Sequence, residues 1–210
     1  MKKTSLIILI SLLSVFNLYP QNKLSLELSG GVISPFKSFS GFLGKAQVNY
    51  AYSIDNSFYA GFSNSSWAKN EVTIHDPSGK TFYDVYSEYD HSLYSIFAGN
   101  RMIFLRYKTL SIYNDLEIGY QILNYIKTFP QRILNPDGTI EYLTDYNTQK
   151  NITENLFGLG AGIGISNKIT TQAELLLSIK LNSYVGSNYN GLLGSRNTYI
   201  TFMGGCIFSL

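Results

Sequence analysis

At 210 residues and a formal charge of +2, the chain is one domain of ordinary size without the basic stripe that nucleic-acid binding needs. Charged residues are 14% of it, against a usual ~25%, while 17 tyrosines and 13 phenylalanines enrich it in aromatics. The single Cys206 excludes an intrachain disulfide, and two histidines argue against a Cys/His metal centre, so no cofactor is expected.

The chain opens with Lys2-Lys3, passes through the apolar run Leu6–Leu13 and turns polar at Gln21-Asn22. A basic start before a short apolar core reads as a secretory signal, with residues 1–21 as leader and 22–210 as the mature domain. From Lys23 onward a period of two marks eight strands. Strand one, about Lys23–Ile33, sets Leu24, Leu26, Leu28 and Val32 against Ser25, Glu27 and Ser29. Strand two, Phe42–Ile54, sets Ala46, Val48, Tyr50 and Tyr52 against Lys45, Gln47 and Asn49. A turn centred on Asn56 then pairs Ile54 with Phe58, Tyr52 with Ala60 and Tyr50 with Phe62.

Strand three runs Phe58–Ala68. The segment Glu71–Tyr86 places Val72, Ile74, Phe82 and Val85 around Asp76-Pro77-Ser78-Gly79, strong turn chemistry that marks the tip of a protruding hairpin. Strand four, Asp90–Leu105, gathers Tyr94, Ile96, Ala98, Met102 and Phe104 on the face of Asn100, with Arg101 on the other. Strand five, Leu110–Tyr125, is apolar at Leu110, Ile112, Leu116, Ile118, Tyr120 and Ile122, interrupted by Asn114. A turn centred on Tyr107 would bring Asn100 opposite Asn114, so that two amides on an apolar face satisfy each other. The alternative is a bulge in strand four that turns Asn100 inward.

Lys127–Lys150 is the longest connection, and Asn135-Pro136-Asp137-Gly138 at its middle repeats the hairpin signature. The hairpin Asn155–Asn182 supplies strands six and seven. Phe157, Leu159, Ala161, Ile163 and Ile165 alternate with Gly158, Gly160, Gly162 and Gly164, turn at Asn167–Thr170, and face Ala173, Leu175, Leu177, Ile179 and Leu181. Gly186–Ser195 is a polar loop, and strand eight, Asn197–Leu210, aligns Ile200, Phe202, Cys206, Phe208 and Leu210.

One face of this pattern is aliphatic or aromatic throughout, and the other carries glycine, Glu, Lys and Arg. Each arm reaches the ~9–11 residues that cross a hydrocarbon layer when tilted. The expected fold is therefore all-β: an eight-stranded antiparallel up-and-down transmembrane barrel in a bacterial outer membrane, with lipid outside and a polar packed lumen. The competing fold is a tyrosine-rich soluble β domain. Connections after strands two, four and six are short and those after three, five and seven long, which sets both termini and the short turns on the periplasmic side.

The strand phase sends Glu27, Lys45, Arg101, Asp115, Glu117, Glu174 and Lys180 into the lumen. Charges in so narrow a space persist only when compensated, so these form an ionic plug, with Glu174 and Lys180 expected to pair. A proton or small-ion path through the same groups is the functional alternative. Asp115 and Glu117 lack a substrate pocket for acid/base work. His91-Ser92 lies near the outer rim, where a lipid-modifying enzyme would need a bilayer-facing His, but neighbours on a strand point to opposite faces.

With this leader, eight amphipathic strands, the glycine-alternating run Gly158–Gly164 and the C-terminal Phe208-Ser209-Leu210, the chain resembles the small OmpA/OmpX-like outer-membrane barrels and, more closely, the PorT-like barrel-domain family. Such barrels end on an aromatic residue; here Leu210 is terminal and Phe208 stands two before it. The resemblance implies outer-membrane lipid and the barrel-assembly machinery as partners, and specifies no activity. The expected function is non-catalytic binding or adhesion to an extracellular or envelope protein through hairpin edges and the aromatic and aliphatic residues Phe82, Tyr83, Tyr86, Ile133, Leu134 and Tyr142. An assembly role through the periplasmic rim (Lys108, Asn167, Lys168) and lipid modification through His91 are the alternatives.

Overall fold

A computed structural model describes residues 24–36, 38–75, 82–186, 193 and 197–210, with the backbone alone at 70–75, 82–87, 130 and 144. The expected leader, the Asp76–Gly79 tip and most of the 186–195 loop lie outside these residues. Eight strands follow one another: β1 (Leu24–Pro35), β2 (Gly41–Ala51), β3 (Asn56–His75), β4 (Phe82–Tyr107), β5 (Leu110–Leu134), β6 (Ile140–Lys168), β7 (Ala173–Val185) and β8 (Thr198–Ser209). Each pairs antiparallel with the next, and β8 returns to β1, so the sheet closes and no edge remains within the body of the barrel.

Alternation decides what each face meets. On β7, Leu175, Leu177, Ile179 and Leu181 point outward and exposed, while Leu176, Lys180 and Asn182 are buried inside. The outward set on β5 runs from Leu110 to Ile122, about 30 Å of membrane thickness at a strand tilt of roughly 40°. Phe62, Ile96, Tyr120 and Phe157 form one outward row across β3 to β6. Four residues nearer the outer rim that row turns polar as Ser66, Ser92, Asn124 and Thr153. A belt of exposed Leu, Ile and Phe bounded in this way has hydrocarbon, not water, as its solvent.

The four glycines of β6 serve the inner face. A Cβ on Gly158 would lie 2.4 Å from the Gln121 amide, one on Gly160 2.7 Å from Asn182, and one on Gly164 2.4 Å from the Tyr113 ring. Side chains from β5 and β7 lie over this bare strand, which is why it alternates glycine with aliphatics.

Two expected registers differ from those observed. In the β2–β3 hairpin Tyr50 pairs with Phe58 and Val48 with Ala60. The turn is thus centred on Ile54, held where the Tyr52 and Ser53 amides donate to the Asn56 carbonyl and the Asn56 amide donates to Ser53 Oγ. The displacement is even, so every side chain keeps its face. Between β4 and β5 the turn residues are Lys108 and Thr109, with Lys108 at φ 54°, and the register shifts between Ile103 and Leu105. The turn displaces the expected register by three residues and the bulge takes one back, which sets Asn100 opposite Leu116 and Asn114 opposite Met102, so the two amides do not face each other. Asn100 nonetheless stays on the outer face, where its amide donates to Tyr52 Oη (3.0 Å) and the Ser57 carbonyl (3.3 Å).

Beyond the belt, β3 and β4 continue as a two-stranded ribbon in which Val72 pairs with Val85 and Ile74 with Tyr83. β5 and β6 do the same across Lys127–Lys150, which is strand rather than loop. Its turn works as Asn-Pro-Asp-Gly chemistry requires. Gly138 takes φ 83°, its amide donates to the Asn135 carbonyl, and the Asn135 amide donates to the Thr139 carbonyl. The Thr139 hydroxyl and amide both donate to Asp137, holding its carboxyl below the usual carboxylate range.

A nitroxide on a cysteine placed at Leu177 or Leu159 should be quenched by lipid-soluble oxygen and shielded from a water-soluble nickel chelate. Protection from both reagents at both positions would mean a protein core and would sink the membrane assignment. Leu177→Arg should cost about 2–4 kcal/mol of barrel stability, since the cation must deform the bilayer.

Candidate functional site: the lumen and the outer rim

The lumen is built in layers. Near the end of the short turns Arg101 makes a bidentate contact with Asp115 (Nε–Oδ1 2.8 Å, Nη2–Oδ2 2.9 Å) and donates to Glu27 (Nη1–Oε2 2.8 Å). Gln47 links Glu27 to Asn49, at 3.0 and 2.7 Å. One layer up, Glu117 Oε2 receives Lys180 Nζ at 2.6 Å and Lys45 Nζ at 3.4 Å. Tyr59 stands between the layers. Its hydroxyl donates to the Leu116 carbonyl (3.2 Å), and the ammoniums of Lys45 and Lys180 lie 5.3 and 5.7 Å from its ring.

Six of the seven charges expected in the lumen are therefore brought together, three acids against three bases. The seventh, Glu174, is not among them. It lines the mouth at the short-turn end beside Ser25, Asn49 and Arg106 and is six residues from Lys180 along β7, roughly 20 Å by strand rise. The expected Glu174–Lys180 pair is absent: strand phase placed both on one face but not at one height. Tyr59 was missed because its place on the inner face of β3 reads simply as aromatic.

Toward the ribbon end the ionic layers give way to a largely apolar cap, in which Glu88, His91 and Glu154 are buried as well. Ile33, Leu43, Leu93, Leu123, Leu156, Tyr199 and Met203 form one buried cluster. Above it Trp67, His91 and Tyr125 stack, with ring centroids 4.8 and 5.3 Å apart, and Tyr125 Oη donates to Glu154 at 2.8 Å. His91 Nε2 lies 3.8 Å from Glu88. His91 thus points into the barrel and is 1% exposed, because odd positions of β4 face inward here. It does not face the bilayer as a lipid-modifying residue must. The signal for this apolar cap was present in sequence, since Leu43, Leu93, Leu123 and Leu156 all stand in inward phase.

Between the ionic layer and the cap the cavity is only about 20 Å³, room for one water. The layers above it interrupt any continuous path through the charged groups among the described residues. Of the expected surface residues, Leu134 is exposed, and Ile133 and Tyr142 are half-buried on the β5–β6 ribbon. The side chains of Phe82, Tyr83 and Tyr86 lie outside the described ones.

No protein-family model matches the chain, and no curated protein matches it. Among solved structures it is similar to neisserial surface protein A, at 14% identity over 90% of this chain and 97% of that one, with a TM-score of 0.57. It is similar also to a major outer membrane protein from Thermus thermophilus, at 13% identity over 88% and 98%, with a TM-score of 0.55. At such identities the likeness is one of fold. In fold this chain is a small outer-membrane β-barrel of the OmpA/OmpX-like class; neither likeness bears on the narrower PorT-like resemblance.

Glu117→Gln combined with Lys180→Met should cost less than the sum of the single changes, each of which leaves a buried charge short of a partner at ~3–5 kcal/mol. Glu174→Gln combined with Lys180→Met should be additive. Urea unfolding of the barrel in detergent, followed by its shift in gel mobility, reads both cycles. In a planar bilayer the barrel should show no discrete current steps, and stable steps would mean that the cap opens.

Proposed function

We propose that this chain is a non-catalytic barrel of a bacterial outer membrane that presents its two long ribbons for binding at the cell surface. What supports the reading most is where strand pairing stops. β4 and β5 pair only as far as Glu88 and Lys127, and β6 and β7 only as far as Phe157 and Val185. Above these points β5 to Leu134 and β6 from Ile140 each have a side that pairs with no strand among the described residues. Open backbone edges accept an added strand, and neighbouring side chains select its sequence. The β5–β6 ribbon also carries exposed apolar residues, Phe129, Leu134, Leu143 and Tyr146, which a surface in water gains by covering.

The non-catalytic part of the reading is supported by the lumen, whose acids are held by bases, and by the inward His91. The orientation is supported by the short connections around Ile54, Lys108 and Thr170, all at the end opposite the ribbons.

Protease added to intact cells should cut within residues 71–86 or 127–150 and spare 55–57 and 167–170. Cutting confined to the short turns would invert the orientation and remove the ribbons from the surface. Substitution of Leu134 and Leu143 by Lys should abolish partner capture while leaving heat-modifiable gel migration unchanged; unchanged capture would move binding elsewhere.

A further inference from the structure

On the outer side of the barrel, at the outer end of the lipid belt, a crevice of about 490 Å³ opens between the start of β2 and the neighbouring parts of β3 and β4. Its walls are Ser40, Phe42, Ser66, Asp90 and Ser92, with Ala68 and the edges of Trp67 and His91 behind them. Phe42, Ser66 and Ser92 are successive cross-strand neighbours, so their side chains share the outward face. This is the row at which that face changes from apolar to polar. The crevice therefore sits at the depth where lipid headgroups meet the acyl region.

Its chemistry is specific. The side chains of Ser66, Ser92 and Asp90 make no hydrogen bond or ion pair among the described residues. Asp90 is exposed and held at φ 53° by the irregularity between Tyr89 and Ser92, which aims a carboxylate out of an otherwise regular strand. Phe42 is 78% exposed and continues the apolar belt into the crevice mouth. Among the described residues no Lys or Arg lines the crevice, and Lys69, next to it on β3, turns its ammonium over the Tyr89 ring at 5.6 Å. Among these residues a phosphate would meet Asp90 with no cation to receive it. Hydroxyl groups fit instead: a carboxylate accepts from two of them, serine hydroxyls donate and accept, and an aromatic face covers the C–H side of a sugar ring.

We propose that this crevice binds the neutral sugar headgroup of a glycolipid in the leaflet that surrounds the ribbon end of the barrel. A membrane-held sugar is favoured over a free glycan because the crevice opens sideways into the leaflet and its lower wall, Phe42, lies in the acyl region. Assigning that leaflet to the cell exterior rests on the orientation proposed above, but binding in a reconstituted bilayer does not. Failure here would leave the orientation standing.

Trp67 is the only tryptophan of the chain, and its ring is buried in the stack with His91 behind the crevice, so its emission reports occupancy through that packing. The barrel in phosphatidylcholine nanodiscs is compared with and without digalactosyl diacylglycerol. The glycolipid should shift Trp67 emission saturably, and Asp90→Asn and Ser66→Ala/Ser92→Ala should each weaken the apparent affinity about tenfold, as removal of such hydrogen bonds does. Asn tolerates positive φ as Asp does, so Asp90→Asn keeps the backbone. Unchanged gel migration certifies that the serine variant is folded. A glycolipid response unaltered in both variants overturns the site. An equal response to free galactobiose overturns the membrane-held source, and an equal response to phosphatidylglycerol overturns the sugar.

Discussion

Eight strands enclose a space that holds side chains and almost nothing else, so the charges stacked at its middle must meet their opposites inside the barrel. The rest of the structure follows from that constraint. Arg101 is planar and forked, and it can satisfy Asp115 bidentately while reaching Glu27. Glu117 lies between two lysines whose ammoniums both face the Tyr59 ring, that of Lys45 facing Phe97 as well. β6 carries glycine at each inward position from Gly158 to Gly164 because the side chains of β5 and β7 need its volume. Three acids against three bases leave these layers neutral, which is the condition for burying them at all.

Parity was legible in the sequence and exact height was not. A period of two tells which face a residue joins, and every strand kept its face. Register depends on turn geometry and bulges, which act through single residues. Ser53 tightened the β2–β3 turn, and the Lys108–Thr109 turn together with the bulge before Leu105 displaced Asn100 from Asn114 by two residues. Both displacements were even, because an odd one would have driven the apolar set into the lumen. The same limit separates Glu174 from Lys180: one strand face, two different depths.

Chemistry inside the barrel was read only in part for a related reason. Charged residues declare themselves, so Glu27, Arg101, Asp115, Glu117, Lys45 and Lys180 could be found by phase alone. Tyr59, and the cap of Leu43, Leu93, Leu123 and Leu156, are hydrophobic residues on the side expected to be polar. They resemble noise until the ring closes and places them at one level. His91 looked like a rim residue with chemical potential, and closure turned it between Trp67 and Tyr125 instead.

Charge pairing below and a largely apolar cap above fill the lumen to a cavity of about 20 Å³ between them. The outside of the barrel meets two environments. Above the rim are two ribbons whose strands outrun their neighbours, with backbone groups that the barrel does not use. At the rim Ser66, Ser92 and Asp90, unpartnered among the described residues, stand beside an exposed Phe42, at a depth where an ordinary barrel needs only an interface. Charge pairing stabilises the lumen, and the binding proposed for this chain draws on surfaces that this pairing does not use.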